Sequence, residues 1–531
     1  MRRGISKRPA AGQLIMKRLL PALMAAVLAA GALAGCSSAG GKEGQTASES
    51  AEAEAGQNTD RGADATPDSA QPTAENGEDG QNTEAAPEEE VVPEGAVLTI
   101  YCIGEDFKYR VQDYYPGYET IGEDNGKIGE TEVRWHVFYD EEEYRESLEE
   151  MLKEQDDLED DEKIDLFVAD EAYLRDYVES SYTLDVKGDL GITNEELEDQ
   201  FPYTLEIATD GEGKLRALTW QATPGVFAYR RLIAKEVLGT DDPGKVQEAV
   251  FDWERFGETA EAMKESGYYM LSGYDDAYQV FADNVASAWV EDGALNVDPH
   301  LVQWAELTRE FAENGYTRGT EQWGDEWRAD HAGSGEVFGF FYSSWGIRYT
   351  LQKKAEGDTD REEEDSDDGG DAEDDAESAY GDYAVCMGPE PCHFGGQWIA
   401  AAKGCDNLRL AASVMRALTC DQETMKKITL EIHEFTNTVS GMQEIAQSGY
   451  SAGVLGGQNP VPAYLEAAKK LTQNHTTSYD EDLDLGFRVT MREYITGGTS
   501  LEDALELFEK TALLRYEELE ESENEENGED Q

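Results

Sequence analysis

Val97-Leu98-Thr99-Ile100-Tyr101-Cys102-Ile103 is an uncharged run rich in β-branched and apolar side chains. Apolar character without alternation predicts a buried strand. Outward from it, Val133, Trp135, Val137 and Tyr139 alternate with Arg134 and His136, the pattern of a half-buried strand. Ile164 to Val168, ending at Asp170, is another apolar run, and Val337 to Tyr342 and Tyr383 to Met387 read the same way. Helix signals fill the gaps. Tyr144, Leu148, Met151 and Leu152 share one helical face, with Asp140 and Glu143 placed to cap it. Leu410, Val414 and Leu418 repeat the spacing behind Asp406 or Asn407, as do Leu501, Leu505, Phe508 and Ala512 behind Ser500. Strands alternating with helices predict an α/β fold with a largely parallel sheet. No repeat at solenoid periods occurs.

Upstream, basic residues Arg2, Arg3, Lys7, Arg8, Lys17 and Arg18 precede the apolar run Leu19 to Ala34, which closes on Leu33-Ala34-Gly35-Cys36. That order is a bacterial export signal. Residues 1–35 are expected to be a lipoprotein signal peptide, with Cys36 the lipidated residue and the protein extracytoplasmic. The run is shorter than the roughly 20 apolar residues of a membrane-spanning helix. Residues 36–96 then lack large apolar side chains until Val91-Val92. Such a segment buries too little surface to offset its chain entropy and is expected to be a disordered acidic linker. Ala355 to Ala379 holds fourteen acidic residues and one basic residue, Arg361. It reads as an acidic insertion on the surface, without the Asp-x-Asp-x-Asp-Gly run of a calcium loop. Residues 517–531 form an acidic tail.

The formal net charge of −72 repels nucleic acid and anionic headgroups, which excludes both as partners. Six cysteines are present, and lipidation of Cys36 leaves Cys102, Cys386, Cys392, Cys405 and Cys420. An odd count requires at least one free thiol or an intermolecular bond, and pairing cannot be read from spacing. Cys386, Cys392 and Cys405 match no zinc spacing. No His-Glu-x-x-His, Walker loop or dinucleotide fingerprint occurs, so neither metal nor cofactor is expected. Gly449-Tyr450-Ser451-Ala452-Gly453 matches a nucleophile elbow, but the Gly-rich stretch after it cannot be a helix. It reads as a loop, and no catalytic residue is assigned. A surface glycosidase remains an alternative, since acidic pairs are too abundant to carry information.

Nine Trp and twenty-six Tyr are the richer signal. Several stand beside glycine, carboxylate or amide groups: Trp220-Gln221, Gly273-Tyr274-Asp275-Asp276, Ser343-Ser344-Trp345-Gly346 and Gly395-Gly396-Gln397-Trp398. A sugar ring offers an apolar face and a rim of hydroxyls. Its receptor needs aromatic platforms with polar groups at the rim.

From about Val97 to Tyr516 the chain resembles the extracellular solute-binding lipoproteins of ABC importers, in the sugar-binding group that includes maltose-binding protein. The resemblance rests on Leu98-Thr99-Ile100-Tyr101-Cys102, on Ile164 to Asp170 and on Trp220 to Arg231. It rests also on Trp253-Glu254-Arg255-Phe256, on Gly335-Glu336-Val337 through Trp345, and on Gly395-Gly396-Gln397-Trp398-Ile399-Ala400 leading to Lys403-Gly404. It implies a two-lobed periplasmic-binding-protein-like α/β fold with several interlobe crossovers and a ligand cleft between the lobes. Lobe one would hold 97–218 and 394–419, and lobe two 219–393 and 420–516. It implies capture of a mono- or oligosaccharide by a monomer that serves a membrane permease. Glu105, Asp106, Asp170, Trp220, Tyr274, Asp275, Asp276, Trp345 and Trp398 are the expected ligand-binding residues, with Trp345 matching the family's stacking position. Ser343-Ser344 stands where the family has Gly-Pro. A receptor of the same fold for a polyamine or peptide is the alternative.

Overall fold

The computed structural model describes residues 94–352, 378–473, 475–516 and 519. The export signal, Cys36, almost all of the linker, nearly all of the acidic insertion and all of the tail but residue 519 lie outside these residues. Fifteen strands are described in two main sheets and two small pairs.

The first sheet uses β1 (Val97–Ile103), β2 (Tyr118–Thr120), β3 (Asn125–Ile128), β4 (Thr131–Phe138), β5 (Leu166–Asp170) and β6 (Ala217–Leu218). Its seventh strand is β15 (Gln397–Ala401), and the order is β2-β3-β4-β1-β5-β15-β6. β1 coincides with the run that opened the reading, and six of its seven residues are buried. β4 keeps Val133 and Trp135 inside, while Arg134 and His136 are half-buried. The helix Glu141–Glu154 presses Tyr144, Leu148 and Leu152 into the core, and the Asp140 carboxylate accepts the Glu143 N–H at 2.9 Å.

The sheets correct one expectation. In the first sheet only β4, β1 and β5 are mutually parallel; β2, β3 and β4 form an antiparallel meander, and β15 runs antiparallel to β5 and β6. Alternation of strand and helix fixes parallel pairing only where a helix crosses over. Here short turns join β2, β3 and β4, and β15 returns from the far side of the molecule.

The second sheet is antiparallel throughout. Its centre is β7 (Pro224–Arg230), flanked by β12 (Gly339–Ser343) on one side and by β13 (Tyr383–Cys386) and β14 (Cys392–His393) on the other. Between β7 and β12 lie β8 (Leu271–Gly273), paired with β11 (Thr317–Thr320), and the hairpin of β9 (Val290–Glu291) and β10 (Ala294–Leu295). All seven residues of β7 are buried because its two faces meet different cores. Val226 and Ala228, with Phe340 and Tyr342, join the apolar core that continues from the first sheet. Phe227 and Tyr229, with Phe341, face the second core, built with helices Trp253–Glu265, Pro299–Asn314, Asp480–Ile495 and Leu501–Arg515.

Residues 422–471 do not stay with the second core. Met425, Ile428, Phe435 and Met442 pack into the first. The Asn437 side chain accepts the Phe201 N–H at 2.9 Å and donates to Thr204 and to the Thr219 carbonyl. The expected boundary at residue 420 followed the resemblance alone, and beyond it the chain still packs into the core that continues from the first sheet.

The described cysteines, Cys102, Cys386, Cys392, Cys405 and Cys420, all carry free thiols, and all but Cys420 are buried. Burial pushes the Cys102 and Cys386 thiols up to about 12.

Candidate functional site: the interlobe cleft

A cleft of about 650 Å³ opens where the two lobes face each other. One wall comes from the first sheet. β5 delivers Asp170 at its C-terminal end, and Glu171 begins the helix Glu171–Val178. Open α/β sheets expose ligand sites at such strand ends. The crossover Phe394-Gly395-Gly396 forms the back. Gly395 and Gly396 have φ of 65° and 123°, a region that suits glycine, and this lets the chain turn sharply into β15. The opposite wall holds Gln279, Asp283, Trp289 and Asp298, then Gln473, Asp480, Asp484 and Arg488 from the C-terminal region.

Three of the expected residues meet here: Asp106, Asp170 and Trp345. Trp345 follows β12, and its indole N–H donates to the Phe394 carbonyl at 2.9 Å. The Trp345 and Phe394 rings lie 5.8 Å apart at 44°. Asp106 opens the helix Asp106–Tyr114 and lies 3.6 Å from Arg110.

The other expected residues are placed elsewhere. Trp220 is fully buried and stacks on Phe107 at 5.7 Å. Trp398 is 1% exposed and donates to the Thr204 carbonyl, because β15 turns its side chain into the first core. Both are core residues with no free face. Glu105 stands at the end of β1 outside the cleft and accepts the Tyr109 hydroxyl at 2.6 Å. The run Tyr274-Asp275-Asp276 serves the second lobe's own structure. Asp275 pairs with Arg492 at 2.8 Å, and the Arg492 guanidinium lies over the Tyr274 ring. Asp276 accepts the backbone N–H groups of Ser272 and Gly273 and the Trp327 indole N–H. Its residue type suggested a sugar contact, but its three donors all belong to the protein. Ser451 lies in an exposed loop followed by the single turn Gly453–Leu455, in keeping with the loop reading.

The residues not anticipated are mostly carboxylates. Burial raises Glu171 to about 7, as it raises the anticipated Asp170 to about 6. Asp480 reaches about 7, chiefly through burial, with the charges of Asp484 and Glu171 adding to it. Asp283 is raised well above the usual range by burial, despite donors that include the His393 backbone N–H and Gln279. Asp484 accepts the Tyr278 hydroxyl and the Trp289 indole N–H. Asp298 is the exception: burial raises it, but donors from Ala286, Ser287 and His300 outweigh that and hold it low. A faint signal for two of these existed. Asp480, Asp484 and Arg488 recur every four residues on one face of a helix, inside a stretch whose acidity hid them.

Two α/β lobes joined by crossovers, with a polar cleft between them, define a two-lobed solute-binding protein. The chain belongs to the bacterial extracellular solute-binding protein family, whose model it matches over residues 122–452. The family places it outside the cytoplasm and is a family of binding proteins. No curated protein matches the sequence. Among solved structures, an extracellular solute-binding protein of family 1 aligns at TM-score 0.62 with 13% identity, covering 79% of this chain and 100% of that one. The sugar-binding protein MalE of Xanthomonas citri aligns at 0.58 with 12% identity, covering 79% and 97%. The galacto-N-biose-/lacto-N-biose I-binding protein of a Bifidobacterium longum ABC transporter aligns at 0.56 with 13% identity, covering 81% and 100%. At such identity these likenesses show the fold. Among the described residues no helix is long and apolar enough to cross a membrane.

Proposed function

We propose that the chain is a lipid-anchored receptor that captures a carbohydrate in the interlobe cleft and passes it, unaltered, to the permease of an ABC importer. The observation that carries this reading is Trp345. Its half-buried ring lines the cleft beside Phe394, across from polar side chains of the other wall. A flat ring with carboxylates and amides around it is the complement of a sugar's apolar face and hydroxyl rim. Two of the structural neighbours are described as binding sugars. Cys36 supplies the membrane tether, and the receptor works as a monomer. The ligand draws the lobes together only by binding the closed form better than the open one.

The test is a thermal-shift screen of the full chain against mono- and oligosaccharides, with polyamines and peptides beside them. A true ligand at a hundredfold excess over its Kd adds about 2.7 kcal/mol of stability. A saccharide that raises the melting temperature and is recovered intact supports the receptor. Turnover of that saccharide points to a glycosidase instead.

A further inference from the structure

The crossover from β14 to β15 holds a carboxyl of each lobe. Asp283, which ends the helix Tyr278–Ala282 on the second lobe, accepts the His393 backbone N–H. Glu171, on the first lobe, accepts the Gly395 N–H, and its own backbone N–H donates to the Gly396 carbonyl at 3.0 Å. The Glu171 carboxyl also lies 4.0 Å from the His393 ring. Asp480 brings a third carboxyl to the cleft, at the start of the helix Asp480–Ile495, where it accepts the Thr477 N–H at 2.9 Å. Burial raises Asp283, Asp480 and Asp484, and the Glu171 charge across the cleft adds to each.

The groups packed around these three carboxyls are acids or neutral donors. Among the described residues, none of Glu171, Asp283 and Asp480 has a lysine or arginine within ion-pair distance. His393 is enclosed, and burial lowers it to about 4, so its ring is neutral near pH 7. Gln279 and Gln473 donate to Asp283 without charge. Burial holds the Tyr203 hydroxyl and the Cys392 thiol beside Asp283, and the Tyr278 hydroxyl near Asp480, well above their usual range and protonated. Asp170, next to Glu171, is a further carboxyl raised by burial. Arg175, one turn along from Glu171, is committed to Glu179 and to the carbonyls of Ile207 and Thr209. Arg488 lies over the Tyr278 ring and favours the charge of Asp484. His475 is the remaining base on the cleft, in the segment that leads to Asp480.

We propose that Glu171, Asp283 and Asp480 form a proton-operated latch at the crossover: protonated, they let the two lobes close on each other, and ionised, they hold them apart. Uncharged carboxyls share a narrow cleft at little cost. Ionised ones repel across it and lose hydration, and separating the lobes relieves both. Each carboxyl binds its proton more tightly in the closed form than in the open one, where water surrounds it. Closure is therefore favoured at low pH and lost as pH rises through the raised value. With Glu171 and Asp480 both raised to about 7, the change falls around neutrality. Every unit by which opening lowers one of these values is a tenfold shift toward the open form at high pH. The Glu171 side chain keeps 21% of its surface in contact with solvent, so it exchanges protons without unfolding. The latch rests on the hinged receptor reading above and does not depend on which solute is carried.

Small-angle scattering of the full chain without solute, at about pH 5.5 and about pH 8.5, tests the latch. The radius of gyration is expected to be larger at the higher pH, by a margin that shrinks as salt rises. The double variant Glu171→Gln, Asp480→Asn keeps the shape of the protonated acids, and its radius is expected to change less between the two pH values than the parent's. Glu171→Gln alone should remove part of the difference, which keeps the test open if the double variant does not fold. The rest of the chain titrates equally in parent and variants, so the difference between them reads the cleft. A parent with the same radius at both pH values overturns the proposal, and contraction of that parent by a saccharide then leaves the receptor reading standing. An equal pH response in parent and variants also overturns it, because the response then belongs to charge elsewhere on the chain.

Discussion

Trp345 and Trp398 look alike on paper, each a tryptophan beside glycine and a polar neighbour. Their surroundings differ. Trp345 lines the cleft, and Trp398 is enclosed by the first core. Trp345→Ala should weaken the best saccharide at least about tenfold, roughly 1.4 kcal/mol, and leave the melting temperature within a few degrees. Trp398→Ala should cost about 3–5 kcal/mol of stability in urea unfolding. A Trp345→Ala variant that keeps full affinity would remove this ring from the site. Glu171 gives a pH signature. Its pKa rises from 4.5 in a free side chain to about 7 here. A carboxyl raised on folding contributes stability that is complete below the unfolded value and lost as pH rises through the folded one. Glu171→Gln should therefore nearly match the parent near pH 5 and melt about 2–4 °C higher near pH 8, corresponding to about 3 kcal/mol. Identical pH profiles would show that Glu171 is not held at raised pKa.

Among the elements, helix caps were the most legible. Ser500 accepts the Asp503 N–H and Asp140 that of Glu143, as their spacing implied. Asn407 heads its helix without capping it, and its amide bonds instead to the Val97 carbonyl and to Asp165 across the sheet. A local rule names the residue but not the partner a distant strand offers. The same limit hid the segment around Glu434. The Glu434 carboxylate accepts from Arg110 at 2.9 Å and from Gln221 at 2.5 Å, and Gln221 in turn accepts the Gln397 N–H. This relay ties four segments far apart in the chain directly behind the cleft. Glu434→Ala leaves Arg110 without its 2.9 Å carboxylate partner and should cost about 3–5 kcal/mol, measurable as a shift in the urea midpoint.

For the whole molecule, two crossovers, Leu218 to Pro224 and His393 to Gln397, connect the sheets. Hinge closure about such segments is the expected response to ligand. Small-angle scattering should report a smaller radius of gyration for the full chain when a saturating saccharide is added, and an unchanged radius would argue against a closing receptor. Cys36→Ser should move the protein from the membrane fraction to the medium; retention on the membrane would exclude lipid as its anchor.

The sequence alone determined β1, the alternation along β4, most helix faces and the order of motifs that marks the family. Periodicity and capping are local, and a handful of neighbouring residues suffices to impose them. Tertiary structure decided which tryptophans are walls and which are core, and which few of 115 acidic residues meet without a countercharge. That outcome depends on bringing residues 170, 283 and 480 together across two lobes. Burial and charge repulsion arise only when distant segments share one cleft, so no short stretch of the chain contains them.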